Sequence, residues 1–160
     1  SHNPEAGFGA VAEDGSLYLV PGAEQSVPAR TMEAVIEKQK WVVEQRKEAL
    51  RDNRPLPDIE GKRVVLADDG IAMGSTMMAS IRLCRNRNAA AVTVGVPVTG
   101  PRTVGLIEKY ADNTVVVDIP RQFRAVAQVY EQWSDVTDEQ VHELLASYGR
   151  NGIKKKQEAT

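Results

Sequence analysis

Three stretches of the chain, residues 64–67, 91–98 and 114–119, are apolar at almost every position and rich in valine. Runs this short, bounded by turn residues, predict buried strands of a parallel sheet. Between the first two, Met77, Met78, Ile81 and Cys84 recur at helical spacing, and Gly100 with Pro101 opens a short helix to about Tyr110. Strand, helix, strand, helix, strand implies right-handed crossovers and a doubly wound α/β sheet.

Upstream the pattern changes. Residues 7–13 alternate loosely, Asp14 and Gly15 make a strong hairpin turn, and residues 16–20 resume strand composition, giving an antiparallel pair at a sheet edge or in a flap. Pro21 and Gly22 end it. Ser26 and Pro28 then open a long helix to about Asn53, with Met32, Val35, Ile36, Val42 or Val43, and Leu50 on one stripe. The opposite face carries Glu33, Lys38, Lys40, Glu44, Arg46 and Lys47 and reads as solvated. Trp41 lies beside the stripe, where packing is its expected role and an exposed ring would mark a dimer surface. Pro55 and Pro57 close the helix and lead into the first apolar strand.

At the other end, Thr137 and Gln140 form a capping box before Val141, Leu144 and Leu145, which predicts a final helix to Gly149. Residues 150–160, including Lys154, Lys155 and Lys156, read as a mobile basic tail rather than a nucleic-acid arm. Residues 1–149 are therefore expected to form one domain, a size that buries about two thirds of its unfolded surface. Net charge is −2 and no apolar run reaches membrane-spanning length, so neither nucleic acid nor membrane is an expected partner. With one cysteine, Cys84, no internal disulfide framework can form. That single thiol reads as a core residue and fits a reducing cytoplasm. His2 and His142 stand apart from ligand or nucleophile candidates and support neither a zinc site nor a hydrolytic triad.

The chemistry concentrates after the first apolar strand. Asp68 and Asp69 end it, and Gly70, Ile71, Ala72, Met73, Gly74, Ser75 and Thr76 lead into the helical pattern. The first N–H groups of a helix lack internal partners and sit at the positive end of its dipole, and glycine admits an anion close to backbone. Such a loop suits a phosphate monoester. Carboxylates beside it would repel phosphate, so Asp68 and Asp69 suit vicinal hydroxyls or a magnesium ion. Phosphate at one end and a diol at the other describes ribose 5-phosphate. The plain alternative is a βα turn with solvated carboxylates and Ser75 as a helix cap.

This apolar strand, acidic pair and small-residue loop with Gly74, Ser75 and Thr76 resembles the phosphoribosyl pyrophosphate (PRPP) motif of type I phosphoribosyltransferases. The resemblance implies that Asp68 and Asp69 hold the ribose hydroxyls while residues 70–76 wrap the 5-phosphate. Met73 departs from it, standing where the family usually has threonine, and removes a hydroxyl contact. Ile119, Pro120 and Phe123 resemble a sequence of purine-type members that places the aromatic against the base, so Phe123 is a candidate base-stacking residue, with plain packing as the alternative. Those members carry a lysine near the end of the preceding strand, where this chain has Pro97, Val98 and Thr99. They also carry an acidic residue seven positions past the aromatic, where this chain has Tyr130. Arg121 and Arg124 are cations that an acidic substrate would attract, though lone arginines are more often plain surface residues.

The resemblance runs from about Asn3 to Leu145. It implies the type I phosphoribosyltransferase fold, with PRPP and a nitrogenous base as small-molecule partners and Mg2+ arriving with PRPP, where Asp68 and Asp69 could meet it. The implied activity is transfer of phosphoribosyl to or from the base, and the alternative is a non-catalytic module that binds PRPP or a nucleotide. Family members normally begin with a strand and a Gly-rich pyrophosphate loop before anything like Asn3. Only two residues precede Asn3 here, so the pyrophosphate half-site is expected to be missing from this chain, and the bared flank of the central strand predicts a homo-oligomer.

Overall fold

A computed structural model describes residues 7–157, with side-chain surroundings described to residue 147. The elements follow in the order β1 (Gly9–Val11), β2 (Leu17–Leu19), α1 (Ala23–Ser26), α2 (Ala29–Arg51), β3 (Arg63–Ala67), α3 (Ser75–Asn86), β4 (Ala91–Val98), α4 (Pro101–Ile107), β5 (Asn113–Asp118), a 3-10 turn at Val126–Val129 and α5 (Asp138–Gln157). The strands β3, β4 and β5 form a parallel sheet in that order, and β1 and β2 form a separate antiparallel pair. The fold is α/β, as the alternation of apolar runs and helical stripes predicts.

The core lies between one face of this sheet and α3. Val92, Val94, Val96 and Val98 of β4 alternate inward and are buried, with Val64 and Leu66 beside them and Val116 across on β5. Met77, Met78, Ile81 and Cys84 bury the facing stripe of α3. Cys84 is a core residue, and burial pushes its thiol up from the ordinary value. The hairpin docks on α3 rather than on the sheet edge. Tyr18 is buried in the same core beneath the Arg82 guanidinium, and Asn86 Nδ2 donates to Ser16 Oγ at 2.9 Å. Asp14 shapes the turn by accepting from both the Ser16 N–H and its hydroxyl, while Gly15 takes the φ of 85° that the turn requires.

Several boundaries differ from the sequence reading. A one-turn α1 precedes α2, because Gly22 at φ 85° lets the chain start a helix before Pro28 interrupts it. Trp41 is 63% exposed instead of packed, lining a shallow groove between α2 and the hairpin turn at residues 12–15. The last helix continues past Gly149 to Gln157, over most of the stretch read as a tail, because lysine and glutamine favour helix once one is nucleated. The resemblance at Asn3 and the residues at 158–160 lie outside the described residues.

The other face of the sheet is open among the described residues. Val65 is 69% exposed, Val115 60% and Val117 85%. A parallel strand that is apolar on both faces is normally covered on both, so the composition of these strands exceeds what the visible packing uses. Val94→Ala, at a fully buried position, is expected to lower stability by about 2 kcal/mol or more, whereas Lys38→Ala on the solvated face of α2 should change it by less than about 0.5 kcal/mol. Urea midpoints at unchanged m-value check both.

Candidate functional site

At the carboxyl ends of β3 and β4 lies a cavity of about 430 Å³ lined by Asp68, residues 70–77, Arg124, and Gly7 and Gly9 from the hairpin. Its volume suits a small molecule. The sequence-nominated Asp68, Gly70, Ala72, Met73, Gly74, Ser75 and Thr76 are thus brought together, with the hairpin closing one side. Met73 is 50% exposed at the rim.

What holds the loop open is a set of hydroxyl donors from elsewhere in the chain. Thr99, fully buried at the end of β4, donates to the Ile71 carbonyl at 2.8 Å, and Thr103 of α4 donates to the Ala72 carbonyl at 2.8 Å. The Tyr130 hydroxyl donates to the Asp69 carbonyl at 2.6 Å, and the Ile71 N–H donates to Val98. A trans peptide points its C=O and the next N–H in opposite directions. Drawing the carbonyls of Ile71 and Ala72 toward β4 and α4 therefore turns the N–H groups of Ala72 and Met73 the other way, with no acceptor among the described residues.

The start of α3 extends this donor set. Gly74 is the N-cap, at φ 83°, and no side chain caps the helix, so the alternative of Ser75 as a cap is not what forms. The Ser75 hydroxyl is instead buried without a partner. Uncapped helix N–H groups and two outward loop N–H groups form a concave cradle of donors of the kind that suits an anion, while the Ser75 hydroxyl lies beneath it, out of reach of the cavity. Substitution room is scarce. A Cβ at Gly70 would meet Val126 Cγ1 at 2.6 Å and Val98 Cγ1 at 2.9 Å, and one at Gly74 would meet Thr103 Cγ2 at 3.0 Å.

Asp68 lines the same cavity as the cradle. Solvent still reaches it, yet the loop walls strip part of its hydration, and that burial pushes its carboxyl above the ordinary value of 3.8. The Asp69 N–H, donated to Asp68 Oδ1 at 3.0 Å, draws it down, and the Asp69 carboxylate pushes it up again. Asp69 and Phe123 are not brought to the cavity wall. Asp69 is tied through its carbonyl to Tyr130, and the Phe123 ring lies against Gly100, where an added Cβ would sit 3.2 Å from Cδ1. Among the described residues no three or more of His, Cys, Asp and Glu converge as a metal cage.

The profile described as Phosphoribosyl transferase domain matches residues 15–132. The chain belongs to the phosphoribosyl transferase domain family. Two Mycobacterium tuberculosis proteins, from strains CDC 1551 and H37Rv and provisionally named phosphoribosyl transferases, are each 34% identical over 144 residues, which is 89% of this chain. The chain spans 32% of their length. A crystal structure of TT1426 from Thermus thermophilus shares 36% identity and superposes with a TM-score of 0.71, covering 89% of this chain and 68% of that one.

Within this phosphoribosyl transferase domain, sequence reasoning marked Thr99 and Tyr130 only as departures from the family pattern and missed their part in holding the loop, and it did not single out Thr103 or Val126 at all.

Between pH 3.8 and the raised Asp68 value the native state keeps a proton that the unfolded chain has lost, so stability falls as pH rises through that window and the penalty is complete above it. Asp68→Asn removes the penalty, so its unfolding free energy from urea titration should exceed that of the unsubstituted protein by an amount that grows from pH 4 to 7 yet stays under about 1 kcal/mol, because solvent screens the group. Gly70→Ala forces Val126 off the loop and should cost about 1–3 kcal/mol. Tyr130→Phe, which only frees one carbonyl, should cost about 0.5–1.5 kcal/mol in the same assay.

Proposed function

We propose that this domain binds PRPP and transfers its phosphoribosyl group between pyrophosphate and a nitrogenous base. The observation that carries the reading is the cradle of residues 72–76, held by Thr99 and Thr103, lining one cavity together with Asp68. The cradle holds the 5-phosphate, and Asp68 accepts hydrogen bonds from the ribose hydroxyls. Displacement at the anomeric carbon develops positive charge on the ribose, so the chain's task is to fix both ends of the sugar and to place a carboxylate near that charge. No covalent nucleophile is required.

Magnesium fits as a companion of PRPP. It keeps several waters and binds through one or two carboxylates plus substrate phosphates, and Asp68, solvent-accessible on the cavity wall, can meet it in that way, with Asp69 adjacent. Bound there it would offset pyrophosphate charge. The reading includes a homo-oligomer, supported by the apolar side chains of Val65, Val115 and Val117 on the open sheet face, and light scattering at rising concentration tests it. The rim methionine favours a second reading, a non-catalytic module that binds PRPP or a nucleotide, because Met73 offers backbone but no hydroxyl to the phosphate.

Calorimetric titration with ribose 5-phosphate, and with PRPP plus magnesium, tests the proposal. Both ligands are expected to bind, PRPP more tightly, with Asp68→Asn weakening each by about tenfold through loss of a charge-assisted acceptor. Silence from both ligands would end the reading. Binding of PRPP without turnover against any nitrogenous base would leave the module.

A further inference from the structure

The chain beyond β5 delivers one cation to the cavity. Phe123 seats against Gly100 at the start of α4 and Val126 against Gly70 of the loop, so the backbone between them is anchored at both ends. Gln128 clamps the turn from both sides. Its Oε1 accepts the Arg124 N–H at 3.0 Å, and its Nε2 donates to the Gln122 carbonyl at 2.7 Å. Arg124 lines the cavity, where it and Asp68 are the charged residues among the described ones. No carboxylate of the described residues pairs with it.

An unpaired guanidinium at a cavity wall, its backbone fixed by Gln128, attracts an anion, and its planar fork matches a carboxylate in two parallel hydrogen bonds. On the ribose-phosphate reading, on which this inference rests, loop N–H groups already serve the 5-phosphate and Asp68 the ribose hydroxyls. Pyrophosphate travels with magnesium, which offsets its charge. The remaining component is the nitrogenous acceptor. We infer that Arg124 is a specificity-determining residue that selects a nitrogenous base bearing a carboxylate.

Product nucleotides that differ in one group supply the test. The pairs are nicotinate and nicotinamide mononucleotides, and orotidine and uridine 5′-monophosphates, titrated calorimetrically into the full chain and into Arg124→Gln, with ribose 5-phosphate alongside. In at least one pair the carboxylated member should bind about tenfold more tightly. Arg124→Gln should reduce that ratio to near one while ribose 5-phosphate affinity stays unchanged, and Arg124→Lys should recover part of it. Equal affinity within both pairs overturns the inference and leaves the ribose-phosphate reading standing. A variant that loses PRPP affinity with the carboxylate preference intact assigns Arg124 to pyrophosphate and also overturns it. No binding of ribose 5-phosphate removes the reading itself, and this inference with it.

Discussion

The site depends on where a few carbonyl groups point. Thr99 brings a hydroxyl into the fully buried end of β4, a place where an unpartnered oxygen would be costly, and satisfies it on the Ile71 carbonyl. Thr103 does the same for Ala72 from the surface of α4. Because each peptide is planar, fixing those oxygens fixes the adjoining N–H groups on the other side. An anion would meet donors already aimed, with little left to reorganise on binding.

The small residues of the loop are consequences of this anchoring. Gly70 lies so close to Val126 and Val98 that a methyl group would separate the loop from the segment above it. Gly74 supplies the left-handed turn that starts α3 without a side-chain cap, and it touches the threonine that holds Ala72. Packing and donor geometry are therefore one arrangement. The segment carrying Phe123, Arg124 and Tyr130 is held at Gly100 by Phe123, at Gly70 by Val126 and at the Asp69 carbonyl by Tyr130, which ties it to the loop. The partial desolvation of Asp68 belongs with this, since a carboxylate kept beside loop walls is less stable and more strongly attracted to donors than one in open water.

The open sheet face follows a different logic. Val65, Val115 and Val117 carry the composition of a parallel strand covered on both sides, while α3, with Ile107 of α4, packs only on the other side among the described residues.

The sequence by itself determined the strands β3, β4 and β5, the helices between them and the small-residue loop 70–76 that joins β3 to α3 and lines the cavity, because apolar period and turn glycines are local signals. It also marked the capping box of α5, where the Gln140 side chain accepts the Thr137 N–H and Thr137 Oγ1 accepts the Gln140 N–H. Tertiary structure alone decided that Tyr130 holds a carbonyl 61 positions away, that Phe123 packs on Gly100 while its neighbour Arg124 meets the cavity, and that Trp41 faces solvent. Those outcomes depend on which surfaces meet once the sheet is assembled, and contacts between residues far apart in sequence leave no periodic trace along the chain.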